Sequence, residues 1–220
     1  MPVNSNSYNK ISAELKGKNV ALVAVSKTKP AEDILELYKL GQRNFGENYV
    51  QELVDKYEQL PKDIQWHFIG HLQSNKVKYI APFVSLIQGV DSKKLLDEID
   101  KQGKKLNRVI DCLLQVHIGI EETKFGFDEK ELHELLNTNF TNYKNVRIRG
   151  MMGMASFSDD NSIIRSEFKF LKSLFDKYSI LSIANCQFTI LSMGMSSDYK
   201  IAIEEGSNMV RIGSLLFGIR

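Results

Sequence analysis

Lys27 stands two residues past an apolar run, "ALVAV" at residues 21–25, with Lys29 and Pro30 just beyond. Lysine is rarely fully buried, so a core strand that runs into one leaves either a surface cation or a deliberately placed amine. A placed amine has a definite chemistry. Partial burial disfavours the ammonium form and leaves more neutral amine to attack a carbonyl, forming a Schiff base. Two segments far along the chain suit a phosphate. "MGMSSD" (193–198) offers Ser196 and Ser197 beside a glycine, and "RIGS" (211–214) offers Gly213 for close backbone approach and the Ser214 hydroxyl, each where a helix could begin. The plainer alternative makes these serines helix caps and Gly213 a turn. A lysine facing a phosphate site is the layout for an aldehyde cofactor held covalently.

Other side chains are weaker candidates. His67 and His71 are four apart, but "HFIGH" runs from a strand into a glycine turn, so no helix face joins them and no metal site is expected. His67 is expected to line the pocket ahead of His71. His117 reads as a strand-end residue and His133 as a helix-surface one. Met151, Met152, Met154, Met193 and Met195 read first as core packing near strand ends. Lys29 competes with Lys27 and shares its strand parity, but lies further out and beside Pro30, so Lys27 is preferred.

The elements that must position these groups alternate. Strand-like runs fall near 20–25, 43–46, 65–69, 84–89, 109–117, 146–152, 187–192 and 209–212. Each of the first seven is followed by an amphipathic stretch. "PAEDILELYKLG" turns Ile34, Leu35 and Tyr38 to one face and stops at Gly41. "DSKKLLDEIDKQG" has Asp91 or Ser92 as cap and Leu95, Leu96 and Ile99 inward, and stops at Gly103. Strand–helix alternation implies parallel strands and right-handed crossovers. About eight units predict an α/β fold, a single closed (β/α)8 TIM barrel, whose chemistry collects at the C-terminal strand ends. A helix near residues 5–17 fills the place of an eighth. The competing open doubly wound sheet calls for a Gly-rich first turn, which "SKTKP" is not.

The chain has 220 residues, 43% hydrophobic and 25% charged, with net charge +2. That allows one domain over 1–220 and gives no global pull toward nucleic acid or anionic membrane. The lysines of "QSNKVKY" and "KKL" read as solvated helix faces. Cys112 and Cys186 have no metal-type spacing, and no disulfide is expected between them. "MPVNSNSYNK" lacks a signal-peptide core, and no apolar run reaches the ~20 residues of a membrane helix. A cytoplasmic protein is expected.

"AVSKTKP", "FGENYVQE", "WHFIGHLQSNK", "RGMM", "LSMGMSSD" and "MVRIGSLLFG" follow one another along nearly the whole chain. In that order they resemble the pyridoxal phosphate homeostasis protein family, which is similar to the barrel domain of alanine racemase, its N-terminal domain. The resemblance implies pyridoxal 5'-phosphate as cofactor, with Lys27 as its Schiff-base lysine. It implies Ser196, Gly213 and Ser214 on the phosphate, Arg211 at the pyridine nitrogen, and Asn48 and His67 near the ring or its lining. Two stretches depart from the pattern: "ETKFG" places Phe125 where a smaller or polar residue is expected, and "GMMGMAS" varies the sixth strand end.

An arginine at the pyridine nitrogen disfavours its protonation and weakens the electron sink. In alanine racemase a tyrosine from a further domain acts as second base, and this sequence ends at Arg220 directly after the barrel pattern. The expectation is therefore a protein that holds, buffers or delivers pyridoxal phosphate, with no catalytic residue assigned. PLP-dependent apoenzymes are the expected recipients and a monomer the expected state. The alternative is a small racemase-like enzyme acting on amino acids.

Overall fold

Ala21–Val25 is a run of small and β-branched residues with no turn-former inside it, and it forms the first strand, β1. The computed structural model describes residues 3–120, 125–137, 140–181 and 183–218. After β1 come β2 (Asn44–Glu47), β3 (Gln65–Phe68), β4 (Leu86–Val90), β5 (Ile110–Gln115), β6 (Val146–Met152), β7 (Cys186–Ser192) and β8 (Met209–Ile212). All neighbours pair parallel in chain order. β1 closes on β8 in the register Ala21↔Met209 to Ala24↔Ile212. The result is the expected eight-stranded barrel.

The helices are α1 (Ser5–Gly17), α2 (Ala31–Lys39), α3 (Val50–Gln59), α4 (Val77–Ile80), α5 (Lys93–Leu106), α6 (Glu129–Leu136), α7 (Asn161–Ser179), α8 (Tyr199–Glu204) and α9 (Ser214–Phe217). α1 lies where an eighth outer helix belongs. Asn4 donates its N–H to the Leu216 carbonyl at 2.8 Å, and the Tyr199 hydroxyl reaches Glu14. In α2 the buried pair is Ile34 and Leu37, with Leu35 and Tyr38 half-buried beside it.

Two helix readings need correction. α5 is capped by Ser92 as one of the expected pair, but it runs through Gly103 and ends at Asn107, which takes the left-handed conformation at φ 50°. Gly103 is a contact residue rather than a stop, because a Cβ there would lie 2.8 Å from the Asn145 carbonyl oxygen. After β3 no full amphipathic helix follows; a 3₁₀ turn at Ser74–Lys76 leads into the single turn of α4.

The core divides as a barrel requires. A large outer cluster packs strands against helices, with Trp66, Phe45, Phe68 and Phe168 fully buried. A smaller inner cluster of Val23, Leu86, Leu113, Met152 and Met209 fills the barrel itself. Cys112 and Cys186 are free thiols on β5 and β7. Among the described residues no helix is long and apolar enough to cross a membrane.

Candidate functional site

β1 ends at Val25, and the Ser26 N–H still donates to the Gly46 carbonyl at 3.0 Å, so the chain leaves the barrel rim at residue 27. Lys27 is half-buried and lines a cavity of about 480 Å³ at the C-terminal strand ends. Asn48 follows β2 into the same cavity, Ser196 and Ser197 follow β7, and Arg211 comes from β8 with Gly213 and Ser214 just past it. Six of the seven expected site residues therefore meet in one space, although they span residues 27 to 214. Its apolar walls are Val25, Ile69, Met154, Met195 and Leu215. Phe157, 97% exposed, stands at its edge.

The turn places Lys27 and Lys29 differently. Thr28 sits between them at φ 64°, so the even spacing of a strand does not apply. Lys29 points elsewhere: its Nζ donates to the Phe217 carbonyl at 2.8 Å, and it lines a different groove with Glu32 and Gln51.

His67 is not among the residues lining this cavity. It lies inside the barrel on β3, 4% exposed, where it reaches the cavity only through other residues. Arg211 Nη1 donates to Ser192 Oγ at 2.7 Å, the Ser192 hydroxyl donates to Gln88 Oε1 at 2.7 Å, and Gln88 Nε2 donates to His67 Nδ1 at 2.9 Å. An imidazole that accepts at Nδ1 carries its proton on Nε2. Burial holds it neutral by pushing its pKa from 6.5 down to about 4. Arg211 Nη2 also donates to the Gly153 carbonyl at 2.9 Å. Burial lowers the Arg211 guanidinium to about 10, which leaves it a cation at neutral pH.

Behind the Lys27 turn lies a second polar group. Glu47 is fully buried at the end of β2, and its Oε1 accepts from Ser26 Oγ at 2.6 Å and from Lys56 Nζ at 2.7 Å. Desolvation raises the Glu47 carboxyl from 4.5 to about 6 even though the Lys56 charge opposes it. Ser192, Gln88, Glu47, Glu52 and Lys56 escaped the sequence reading. "FGENYVQELVDK" carries one signal for the last two, since Glu52 and Lys56 are four apart on a helix face.

The remaining histidines and the variant stretch lie at the rim or outside. His71 Nδ1 is 2.7 Å from Asp91, and its ring stacks on Phe125 at 3.8 Å. Phe125 thus packs on His71 rather than lining the 480 Å³ cavity; residues 122–124 of that stretch lie outside the described residues. His133 hydrogen-bonds Tyr178 on α7. A larger cavity of about 610 Å³ opens at the other end of the barrel beneath α1. Its Arg43 is tied to Asp63, and it holds none of the strand-end residues.

The cavity has the chemistry for an anionic, aromatic aldehyde. Lys27 and Arg211 are its two cations, and no carboxylate is among the described residues that line it. Ser196, Ser197, Gly213 and Ser214 come from the ends of the adjacent strands β7 and β8, with Ser196 Oγ 3.2 Å from the Gly213 nitrogen. The Oδ1 of Asn48 is buried without a hydrogen-bond partner, an acceptor that a ligand donor would satisfy. Its volume falls within the usual range for small-molecule sites.

The family model described as alanine racemase, N-terminal domain, matches residues 5–220. The chain is 44% identical over 207 residues to a pyridoxal phosphate homeostasis protein of Aquifex aeolicus (strain VF5), covering 93% of this chain and 90% of that one. It is similar in structure to PipY of Synechococcus elongatus PCC7942 without PLP, with a TM-score of 0.90 at 34% identity over 97% of this chain and 99% of PipY. PipY solved with PLP bound gives a TM-score of 0.83, also at 34% identity, over 94% and 97% of the two chains.

Proposed function

The chain belongs to the pyridoxal phosphate homeostasis protein family, and on that premise we propose that it binds pyridoxal 5'-phosphate at the C-terminal end of its barrel and takes part in buffering or delivering it. The observation that carries this is the convergence of Lys27, Asn48, Ser196, Arg211, Gly213 and Ser214 on one cavity. When bound, the cofactor supplies an aldehyde that links reversibly to amines and a ring that can withdraw electrons.

In this reading Lys27 supplies the amine that holds the aldehyde carbon. The hydroxyls of Ser196 and Ser214 hold the phosphate, and Gly213, with no side chain, lets it approach the backbone closely. Ser196 Oγ already accepts from the Gly213 N–H at 3.2 Å, which leaves its proton to donate. Arg211 faces the pyridine nitrogen with its positive charge and disfavours a second charge there. Asn48 meets the ring edge. His67 acts at one remove, by holding Gln88, Ser192 and thereby Arg211 in place. Lys27 and Arg211 are the titratable side chains of the described lining. We further propose one domain over 1–220, a cytoplasmic monomer, and PLP-dependent apoenzymes as recipients.

An absorption spectrum tests the cofactor and borohydride reduction with mass mapping tests the lysine. The expected result is a near-violet band lost on reduction and a mass adduct on Lys27. A protein that gives neither band nor adduct after incubation with pyridoxal 5'-phosphate overturns the reading. Proton-exchange NMR with each alanine enantiomer separates holding from catalysis. Exchange at ordinary enzymatic rates of ~1–10³ per second, abolished by Lys27→Ala, would instead establish a racemase-like enzyme.

A further inference from the structure

Two lysines two residues apart end the first strand, yet one enters the cavity and the other leaves it. The turn that separates them is closed by the Lys29 N–H donating to the Ser26 carbonyl at 3.0 Å. Thr28 occupies its third position at φ 64°. Glycine or asparagine is the usual occupant there, and a β-branched residue adopts that conformation rarely. Something outside the turn must hold it.

The structure shows what does. The Thr28 N–H donates to Glu52 Oε1 at 2.5 Å, from the first turn of α3. Glu52 is itself held by Lys56 Nζ at 2.7 Å. The same ammonium donates to the Ser26 carbonyl at 2.7 Å and to Glu47 Oε1 at 2.7 Å. All three of its protons are thus committed, and Lys56 is buried. Ser26 is gripped at its N–H, its hydroxyl and its carbonyl, and Thr28 at its N–H. Both neighbours of Lys27 are therefore fixed from α3 and β2, while the Lys27 side chain lines the cavity.

We propose that Glu52, oriented by Lys56, is a positioning residue that makes Lys27 rather than Lys29 the amine of the cavity. The inference rests on the reading of Lys27 as the cofactor lysine. Glu52 does not line the cavity; it stabilises the left-handed turn that leaves Lys27 in the cavity and Lys29 bonded to the Phe217 carbonyl. Without it, the turn relaxes toward an extended path and the two lysines regain equal access.

The test loads the full chain with pyridoxal 5'-phosphate, reduces it with borohydride at set times, and maps the adduct by mass. Wild type is expected to label on Lys27 alone. Glu52→Ala is expected to label Lys27 roughly tenfold more slowly, the loss of one charge-assisted hydrogen bond, and to gain adduct on Lys29. Glu52→Gln keeps an acceptor oxygen and is expected to retain Lys27 labelling. Adding Thr28→Gly to Glu52→Ala is expected to restore it, because glycine needs no help to hold a positive φ; a merely structural role for Glu52 would not be rescued this way. In the unmodified protein the Thr28 amide is expected to exchange with solvent more slowly than an open turn amide, a reading independent of whether any variant folds. A sole Lys27 adduct at wild-type rate in Glu52→Ala, or an unprotected Thr28 amide, overturns the inference while leaving Lys27 in its role. A wild-type adduct on another lysine overturns both.

Discussion

Arg211 Nη1 donates to Ser192 Oγ at 2.7 Å, and every further donor in that chain points away from the cavity toward His67. Donors aligned in one direction polarise one another, and a cation at the head of the row reinforces each bond. Ser192 is the joint, since it is fully buried and is both acceptor and donor. Ser192→Ala is expected to cost about 1–3 kcal/mol by leaving Gln88 Oε1 without its donor. Urea unfolding measures the cost. Pyridoxal phosphate affinity should fall modestly as well, because Arg211 loses one of three acceptors and keeps the Ser192 and Gly153 carbonyls; undiminished affinity would show that Arg211 does not need the hydroxyl.

The two first-turn lysines should separate cleanly. Lys27→Ala is expected to abolish the reducible adduct while shifting stability by less than about 1 kcal/mol, because a half-exposed rim side chain contributes little packing. Lys29→Ala is expected to keep the adduct and to lose about 0.5–1.5 kcal/mol with the hydrogen bond to Phe217. Thermal melts and adduct mapping on both variants read the difference. An adduct retained in full by Lys27→Ala would transfer the role to another lysine.

Phosphate recognition predicts an asymmetry between ligands. Ser196→Ala and Ser214→Ala should weaken pyridoxal phosphate by roughly tenfold or more each, since a hydrogen bond to a charged group contributes ~1.5–3 kcal/mol. Pyridoxal, which lacks the phosphate, should bind nearly unchanged. Fluorescence titration with the two ligands is sufficient, and equal weakening of both would remove the serines from the phosphate.

Acid stability carries the signature of His67. Its folded pKa, about 4, lies below the ordinary 6.5, so the unfolded chain takes up this proton first. Stability is therefore lost as pH falls below 6.5 and the loss levels off near 4, at about 1.4 kcal/mol per pH unit. Glu47 acts with the opposite sign: its carboxyl is raised from 4.5 to about 6, so folding gains from protonation as pH falls through that window. Both contribute to the wild-type curve, together with the lowered carboxyls of Asp63, Glu98 and Asp160. Subtracting the curve of His67→Gln isolates the histidine, and the difference should grow steadily from pH 6.5 to 4. A flat difference would mean that His67 is not held neutral.

The sequence by itself determined the architecture, because that information is local. Short strand-like runs recur eight times with helical periods after most of them, and a parallel alternation of that length closes into a barrel. Closure in turn brings all strand ends to one rim, so Lys27, Ser196, Arg211 and Ser214 could be placed together before any distance was known. Only the tertiary structure decided which lysine enters the cavity and what stands behind it. Strand parity treats Lys27 and Lys29 alike; their separation depends on Thr28 at φ 64° and on Glu52, from another element. His67 likewise lies one layer in from the cavity, joined to it through Gln88 and Ser192, whose residue numbers differ by 104. Hydrogen bonds between side chains that far apart leave no periodicity in a sequence. They exist only once the strands are in register, and at this site they set where a charge sits and which way a side chain points.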